Sequence, residues 1–303
     1  MIGFPTNVLI TESSPRDGLQ SLGAFVPTEA KIGLIKGLGE TGIKSFDAVS
    51  FVNPNAVPQM ADGAEVMAGL EDKEDIELIG LVPNMRGFES AMAAGVDTIG
   101  LLTAASDEFN QRNINATVDE SMHRIRRILL EVPRGVETRA YISTATHCPF
   151  EGEQEPDWVA HLVETLLDWG AESVYIGDTI GKATPAHIER LLADVLEVAK
   201  PEQLGVHLHD TYGQALANTM VALDHGIARM DTSAGGLGGC PYAPGATGNL
   251  ATEDLLYLLD GLDIEHGISI GGVAKVASEF CETHGLDYNS RAGKAWLAAQ
   301  ESE

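Results

Sequence analysis

Short apolar runs and longer amphipathic ones alternate along residues 1–260. In the short runs apolar side chains are contiguous or fall at every second position, the pattern of a strand buried on one or both faces. In the longer ones they return at every third or fourth position, which gathers them on one face of a helix. The predicted strands are Val8–Ser13, Ser45–Ser50, Glu77–Val82, Thr98–Ala104, Thr138–Ser143, Ser173–Asp178, Gly205–His209 and Arg229–Ser233. Helices are predicted at Thr28–Thr41, Gln59–Leu70, Arg86–Ala94, Val118–Val132, Asp157–Trp169, Pro185–Ala199 and Ala215–His225, with an eighth at Asn249–Leu259. Asp157 before Trp158, and Thr184 before a first-turn proline, read as N-terminal caps. Gly42, Gly95, Gly170 and Gly226 stand where helices should stop.

Eight strand–helix units in series predict an α/β fold, a closed parallel (β/α)8 barrel. A doubly wound sheet is the alternative, and its nucleotide-binding glycines should follow the first strand. Gly37-Leu38-Gly39-Glu40-Thr41-Gly42 has that spacing but closes a helix where the motif must open one. No linker or low-complexity stretch divides the repeats. Residues 1–265 are expected to form one catalytic barrel domain. Residues 266–303, with two helices in Gly271–Ala299, are expected to pack on it as an extension.

Charge removes several function classes. The 303 residues carry 45 acidic against 19 basic side chains, a formal charge of −26. Such a field repels nucleic acid and anionic membranes. Arg124, Arg126, Arg127 and Arg134 cluster, but a solvated helix face accounts for them. No apolar run approaches the roughly 20 residues of a membrane span. The first residues lack a basic region followed by a long apolar one, so a cytoplasmic location is expected. Cys148, Cys240 and Cys281 are too few and too far apart for a disulfide framework or a CxxC zinc site.

Candidate chemistry concentrates at His207-Leu208-His209-Asp210. On a strand His207 and His209 point to one side while Leu208 points away, so two imidazoles can grip one divalent metal. Asp17, after the first strand with Arg16 beside it, offers an oxygen ligand. In barrels of this kind the chemistry sits at the C-terminal strand ends. Arg16 and Asp17 lie there after strand 1, Asp47 and Ser50 on strand 2, Asp178 and Thr179 at strand 6, the histidines at strand 7, and Gly235–Cys240 after strand 8. For Asn249, a helix N-cap before Leu250-Ala251-Thr252 is the better local reading.

Five segments together resemble the 3-hydroxy-3-methylglutaryl-CoA (HMG-CoA) lyase family of metal-dependent TIM barrels. They are Ser14–Gln20 (SPRDGLQ), Ser50–Asp62 (SFVNPNAVPQMAD), Gly177–Gly181 (GDTIG), His207–Asn218 (HLHDTYGQALAN) and Gly235–Asp254 (GGLGGCPYAPGATGNLATED). The resemblance implies a retro-Claisen cleavage of an acyl-CoA to acetyl-CoA and acetoacetate, as in leucine degradation and ketone-body formation. It implies Asp17, His207, His209 and Asn249 as ligands of Mg²⁺ or Mn²⁺, with Zn²⁺ and Co²⁺ also compatible. Arg16 would stabilise the enolate and Cys240, in a glycine loop, would transfer a proton. Asp17, Asp47, Asp178 and His207 would share in the catalysis, while Gln20, Ser50 and Thr179 would contact substrate. Cys148 is expected to be structural or pocket-lining. The family usually has glutamate where this chain has Asp47, which bears on the acyl group and leaves citramalyl-CoA as a neighbouring substrate. A condensing enzyme of the isopropylmalate or homocitrate synthase kind is the enzymatic alternative, and a non-catalytic barrel the remaining one. The expected partner is an acyl-CoA, with a homodimer as the assembly left open.

Overall fold

A computed structural model describes residues 3–71, 75–239 and 248–300. Its barrel strands are β1 (Leu9–Glu12), β2 (Ser45–Ser50), β3 (Glu77–Val82), β4 (Thr98–Ala104), β5 (Glu137–Ser143), β6 (Ser173–Asp178), β7 (Leu204–Leu208) and β8 (Arg229–Thr232), and a short hairpin pairs His147–Cys148 with Gly152–Glu153. Each barrel strand pairs in parallel with its neighbours in sequence, and β1 closes on β8 through Leu9↔Arg229 to Glu12↔Thr232. The predicted barrel is therefore the observed one. Four strands coincide with their predicted bounds, and the other four differ by one or two residues.

The helices are α1 (Thr28–Glu40), α2 (Gly63–Ala68), α3 (Met85–Ala94), α4 (Asp107–Ile114), α5 (Val118–Leu129), α6 (Pro156–Asp168), α7 (Pro185–Val198), α8 (Ala215–Asp224), α9 (Thr252–Gly261), α10 (Ile270–His284) and α11 (Arg291–Gln300). The stretch predicted as one helix at Gln59–Leu70 divides into a 3₁₀ turn at Pro58–Met60 and α2. Asp62 at the division is held by the Lys31 ammonium at 2.7 Å and the Thr28 hydroxyl at 2.8 Å. Helix α4 was not anticipated from the sequence. It is short and polar, with Phe109 and Asn110 as its buried residues, so it lacks an apolar period. Its start is set by the Ser106 hydroxyl accepting the Phe109 N–H at 3.1 Å. Among the described residues, no helix is long and apolar enough to cross a membrane.

The main core lies between strands and helices, where residues such as Ile35, Leu38, Phe46, Ile99 and Val163 are buried. Inside the barrel, the half away from the site is polar. Arg139 is buried there, donating to Thr11 Oγ1 at 2.8 Å and Glu77 Oε2 at 3.2 Å with its guanidinium over the Tyr175 ring. The charge is thus paired and hydrogen-bonded, the condition under which burial is tolerable.

Helix α10 packs against α1 and α9, and α11 against α9 and α10. The link between them reaches the rim of the barrel. The Tyr288 hydroxyl donates to Glu253 Oε1 at 2.8 Å, and Glu253 also accepts the Gly235 N–H at 3.0 Å. Ser290 donates to Asp254 at 2.8 Å, and the Asn289 N–H reaches the Gly235 carbonyl at 2.7 Å.

Burial pushes the Glu253 carboxyl up to about 7 despite the hydrogen bonds it accepts. Between the ordinary value of 4.5 and that one, the folded protein keeps a proton that the unfolded chain has lost. The contribution is therefore full below the unfolded value and is lost as pH rises through the folded one. We predict that from pH 4.5 to 8 the wild type loses about 3 kcal/mol of stability relative to Glu253→Gln. Denaturant unfolding at stepped pH measures this, and a pH-independent difference would acquit Glu253.

Candidate functional site

The site is built first on the turn that leaves β1. Ser14–Gly18 winds with π-helical pitch, its Gly18 N–H reaching back to the Ser13 carbonyl at 3.0 Å. The wider turn changes where consecutive side chains point, and such turns recur at functional sites. Glu12 anchors it from below, accepting the Ser14 N–H at 2.9 Å, the Ala234 N–H at 2.8 Å and the Thr252 hydroxyl at 2.7 Å. One buried carboxylate therefore ties the turn after β1 to the loop after β8 and to α9.

Arg16 and Asp17 both turn inward from this turn and are 6% and 7% exposed. The Arg16 guanidinium donates from Nη1 to Asp17 Oδ1 at 2.6 Å and from Nε to Asp47 Oδ2 at 2.7 Å, with Nη2 also on Asp47. Aspartate at position 47 thus reaches the guanidinium despite its short side chain. Asp17 accepts further hydrogen bonds from Gln20 Nε2 at 3.0 Å and Asn249 Nδ2 at 2.9 Å. Its Oδ2 faces His207 Nε2 at 3.8 Å and His209 Nε2 at 3.9 Å.

Burial works against the Asp17 anion, but Arg16 and the two imidazoles hold its carboxyl well below the usual range. Burial raises the Asp47 carboxyl, helped by nearby Asp231 and Asp17, while Arg16 opposes. The two imidazoles also part company. Burial and the neighbouring His207 lower His209 to about 4, so it is neutral at pH 7. Burial lowers His207 as well, but the hydrogen bond to Asp231 prevails and raises it. His207 Nδ1 lies 3.1 Å from Asp231 Oδ2, which fixes the ring and turns Nε2 toward Asp17.

One atom each from Asp17, His207 and His209 lies within 4.8 Å of the others. Asn249 Oδ1 is buried without a hydrogen-bond partner. A buried polar atom left unpaired costs roughly 1–3 kcal/mol, so this donor set fits a divalent cation. Asn249 is not the helix cap expected from local sequence. Helix α9 starts at Thr252 after Ala251, and Asn249 instead bridges to His209 across the barrel mouth.

Arg16, Asp17, His207 and His209 face a cavity of about 590 Å³ that is also lined by Gln20, Tyr141, Thr179 and Gly239. Thr179 lines it while its hydroxyl accepts the Thr144 N–H at 2.7 Å. Asp178 turns away from the lining, accepting backbone N–H groups of Lys182 and Ala183 at 3.1 and 3.0 Å. Burial raises its carboxyl to about 6. Ser50 faces a separate recess with Asn53, Asn84 and Arg86. Cys240 lies outside the described residues. Cys148 is buried against the Ser106 hydroxyl, 3.0 Å away.

Comparison with known proteins agrees with this geometry. A family model described as HMGL-like matches residues 7–279. The chain belongs to the HMGL-like family. It is 44% identical over 293 residues to a bovine (Bos taurus) mitochondrial hydroxymethylglutaryl-CoA lyase, covering 96% of this chain and 90% of that one. The crystal structure of the Pseudomonas aeruginosa hydroxymethylglutaryl-CoA lyase superposes with a TM-score of 0.94 at 42% identity, covering 98% and 99% of the two chains. An Acinetobacter baumannii HMG-CoA lyase solved with coenzyme A and 3-methylmalate has a TM-score of 0.92 at 36% identity, covering 97% of each. As an HMGL-like protein the chain implies a divalent metal, for which Asp17, His207 and His209 are the candidate ligands.

Sequence reasoning missed two residues in this HMGL-like site. Asp231 on β8 orients His207, and its signal was one acid between Met230 and Thr232 in an otherwise buried strand. Tyr141 on β5 lines the cavity with a buried, unpartnered hydroxyl. Nothing in its alternation separates it from a core tyrosine.

Gly238 closes the site by lying against it. Its φ is +110°, and a Cβ there would sit 2.6 Å from Asn249 Nδ2 and 3.2 Å from Gly18 Cα. Gly238→Ala should lose about 1–3 kcal/mol of stability and weaken Mn²⁺ binding by displacing Asn249. Calorimetric unfolding and Mn²⁺ titration followed by electron paramagnetic resonance measure both effects. Unchanged Mn²⁺ affinity would remove Asn249 from the metal's reach.

Proposed function

We propose that this chain cleaves 3-hydroxy-3-methylglutaryl-CoA to acetyl-CoA and acetoacetate, with Mg²⁺ or Mn²⁺ held by Asp17, His207, His209 and Asn249. The observation that carries the reading is the inward pair Arg16–Asp17 meeting both imidazoles in one cavity. A set of oxygen ligands with two imidazoles suits a harder divalent ion. When bound, such an ion supplies polarisation and orientation of the substrate's hydroxyl and carboxylate.

The remaining work falls to the chain. The substrate hydroxyl loses its proton to a basic group of the Asp17–His207 cluster. The carbon–carbon bond then breaks, its electron pair passing to the thioester enolate as the hydroxyl carbon becomes a ketone. Protonation of the enolate carbon gives acetyl-CoA, and Cys240 is assigned as the donor. Arg16 is the donor to the enolate oxygen, where negative charge develops. Asp47 holds two of the Arg16 nitrogens, so it positions the guanidinium from behind. Gln20 and Thr179 line the cavity and would contact substrate. Ser50 and Asp178, which end β2 and β6 and are set back from that wall, would act through the loops that follow them.

The direct test is a panel of acyl-CoA thioesters, citramalyl-CoA among them, with Mg²⁺ or Mn²⁺, following acetyl-CoA release. Fastest turnover on 3-hydroxy-3-methylglutaryl-CoA and its loss on chelation are expected. Full activity after exhaustive metal removal would overturn the metal assignment, and faster turnover of citramalyl-CoA the substrate. Arg16→Lys keeps a charge but loses the planar fork that spans Asp17 and Asp47. Its turnover should fall on the order of 10² to 10³-fold. A value within a few-fold of wild type would take Arg16 out of the chemistry.

A further inference from the structure

The loop between β5 and α6 carries a second cluster of side chains that the cleavage reaction does not use. His147–Cys148 pairs antiparallel with Gly152–Glu153, setting His147 opposite Glu153. Directly opposed residues of a two-stranded ribbon project to the same side. Helix α7 adds His187 from its first turn, and the two imidazole rings meet edge to face with centroids 4.7 Å apart. One ligand atom from each of His147, Glu153 and His187 lies within 4.8 Å of the others.

We propose that His147, Glu153 and His187 form a second metal site, distinct from the Asp17 cluster and selective for a borderline cation of the Zn²⁺ class. Two imidazoles and a carboxylate with a fourth position open to water match the ligand chemistry of zinc. Mg²⁺, which prefers oxygen and keeps its waters, is poorly served by the same set.

One further observation points to a bound ion. His147 is 6% exposed, and its Nδ1 is buried with no hydrogen-bond partner. Burial and the facing His187 lower the His147 pKa, which keeps the ring in the neutral form that binds metal. His187 Nδ1 accepts the Thr184 N–H at 3.0 Å and lies 2.9 Å from the Thr184 hydroxyl. To ligate through Nε2 the ring would have to move its proton to Nδ1, donate it to the Thr184 hydroxyl and release the Thr184 N–H, a step that the bound ion would drive.

Opposing charges set the affinity. Arg190 donates to Glu153 Oε1, so the ion takes the other carboxylate oxygen. Lys182 adds a second positive charge near His147. An ion here ties the hairpin to α7, and Thr146 Oγ1 already links the same hairpin to Asp178 at 3.2 Å. The site would therefore stiffen the two loops that flank the end of β6.

Zn²⁺ alone is the probe. By equilibrium dialysis and calorimetry the wild type should bind two equivalents, and Glu153→Gln/His187→Gln one. The second equivalent should weaken at least tenfold in either single variant. Both positions lie outside the core, and circular dichroism checks that the variants fold. In His207→Ala/His209→Ala protein one equivalent should persist, with X-ray absorption reporting two imidazole nitrogens at about 2.0–2.1 Å. Equal stoichiometry and affinity in wild type and Glu153→Gln/His187→Gln would overturn the proposal. So would a single equivalent in the wild type that His207→Ala/His209→Ala abolishes.

Discussion

The ionised carboxylate of Asp17 is the constraint around which the rim is arranged. Removing a carboxylate from water costs several kcal/mol unless charge and hydrogen bonds replace the solvent. Here Arg16, Gln20 and Asn249 replace it directly, and two imidazoles face what remains of its surface. These partners come from three separated parts of the chain, so the carboxylate can be satisfied only when the barrel has closed. Adjacent residues on an ordinary α-helix diverge by about 100°. The wider turn at Ser14–Gly18 lets Arg16 and Asp17 face the same interior.

Two acids compete for one guanidinium. Arg16 lies between Asp17 and Asp47, and Asp231 adds a third negative charge behind His207. A single fixed cation among three carboxylates leaves the cluster with an excess of negative charge. That excess favours a divalent cation and helps explain why a chain with so few basic residues buries this one. At the opposite end of the barrel the balance differs. Arg139 is matched by Glu77 and by hydroxyls, so charge there is spent within the fold and none is left for a ligand.

Much of this could be read along the chain because its causes are local. Strand positions follow from contiguous apolar runs, and the shared orientation of His207 and His209 follows from a spacing of two. The false glycine motif at Gly37–Gly42 was recognisable because it ended a helix, and α1 does end at Glu40. What escaped depends on distant partners. Asn249 reads as a cap until His209 and Asp17 are brought to it by closure. Asp231 and Tyr141 acquire meaning only from the neighbours on adjoining strands. Helix α4 is held by caps and by Asn110 reaching Thr117 and Ser121, not by an apolar stripe.

The contacts among Glu253, Tyr288, Asn289 and Gly235 bear on the order in which the molecule is made. A ribosome delivers β1 and its arginine–aspartate pair long before the link between α10 and α11. Gly235, just after β8, is held by Glu253 and by Asn289, and Tyr288 in turn holds Glu253, so two of the three supports lie some fifty positions after it. The barrel can therefore close on the nascent chain while the turn at Gly235 lacks its outer support. Support for the rim therefore comes from helices made well after the last barrel strand, and competence follows the fold itself.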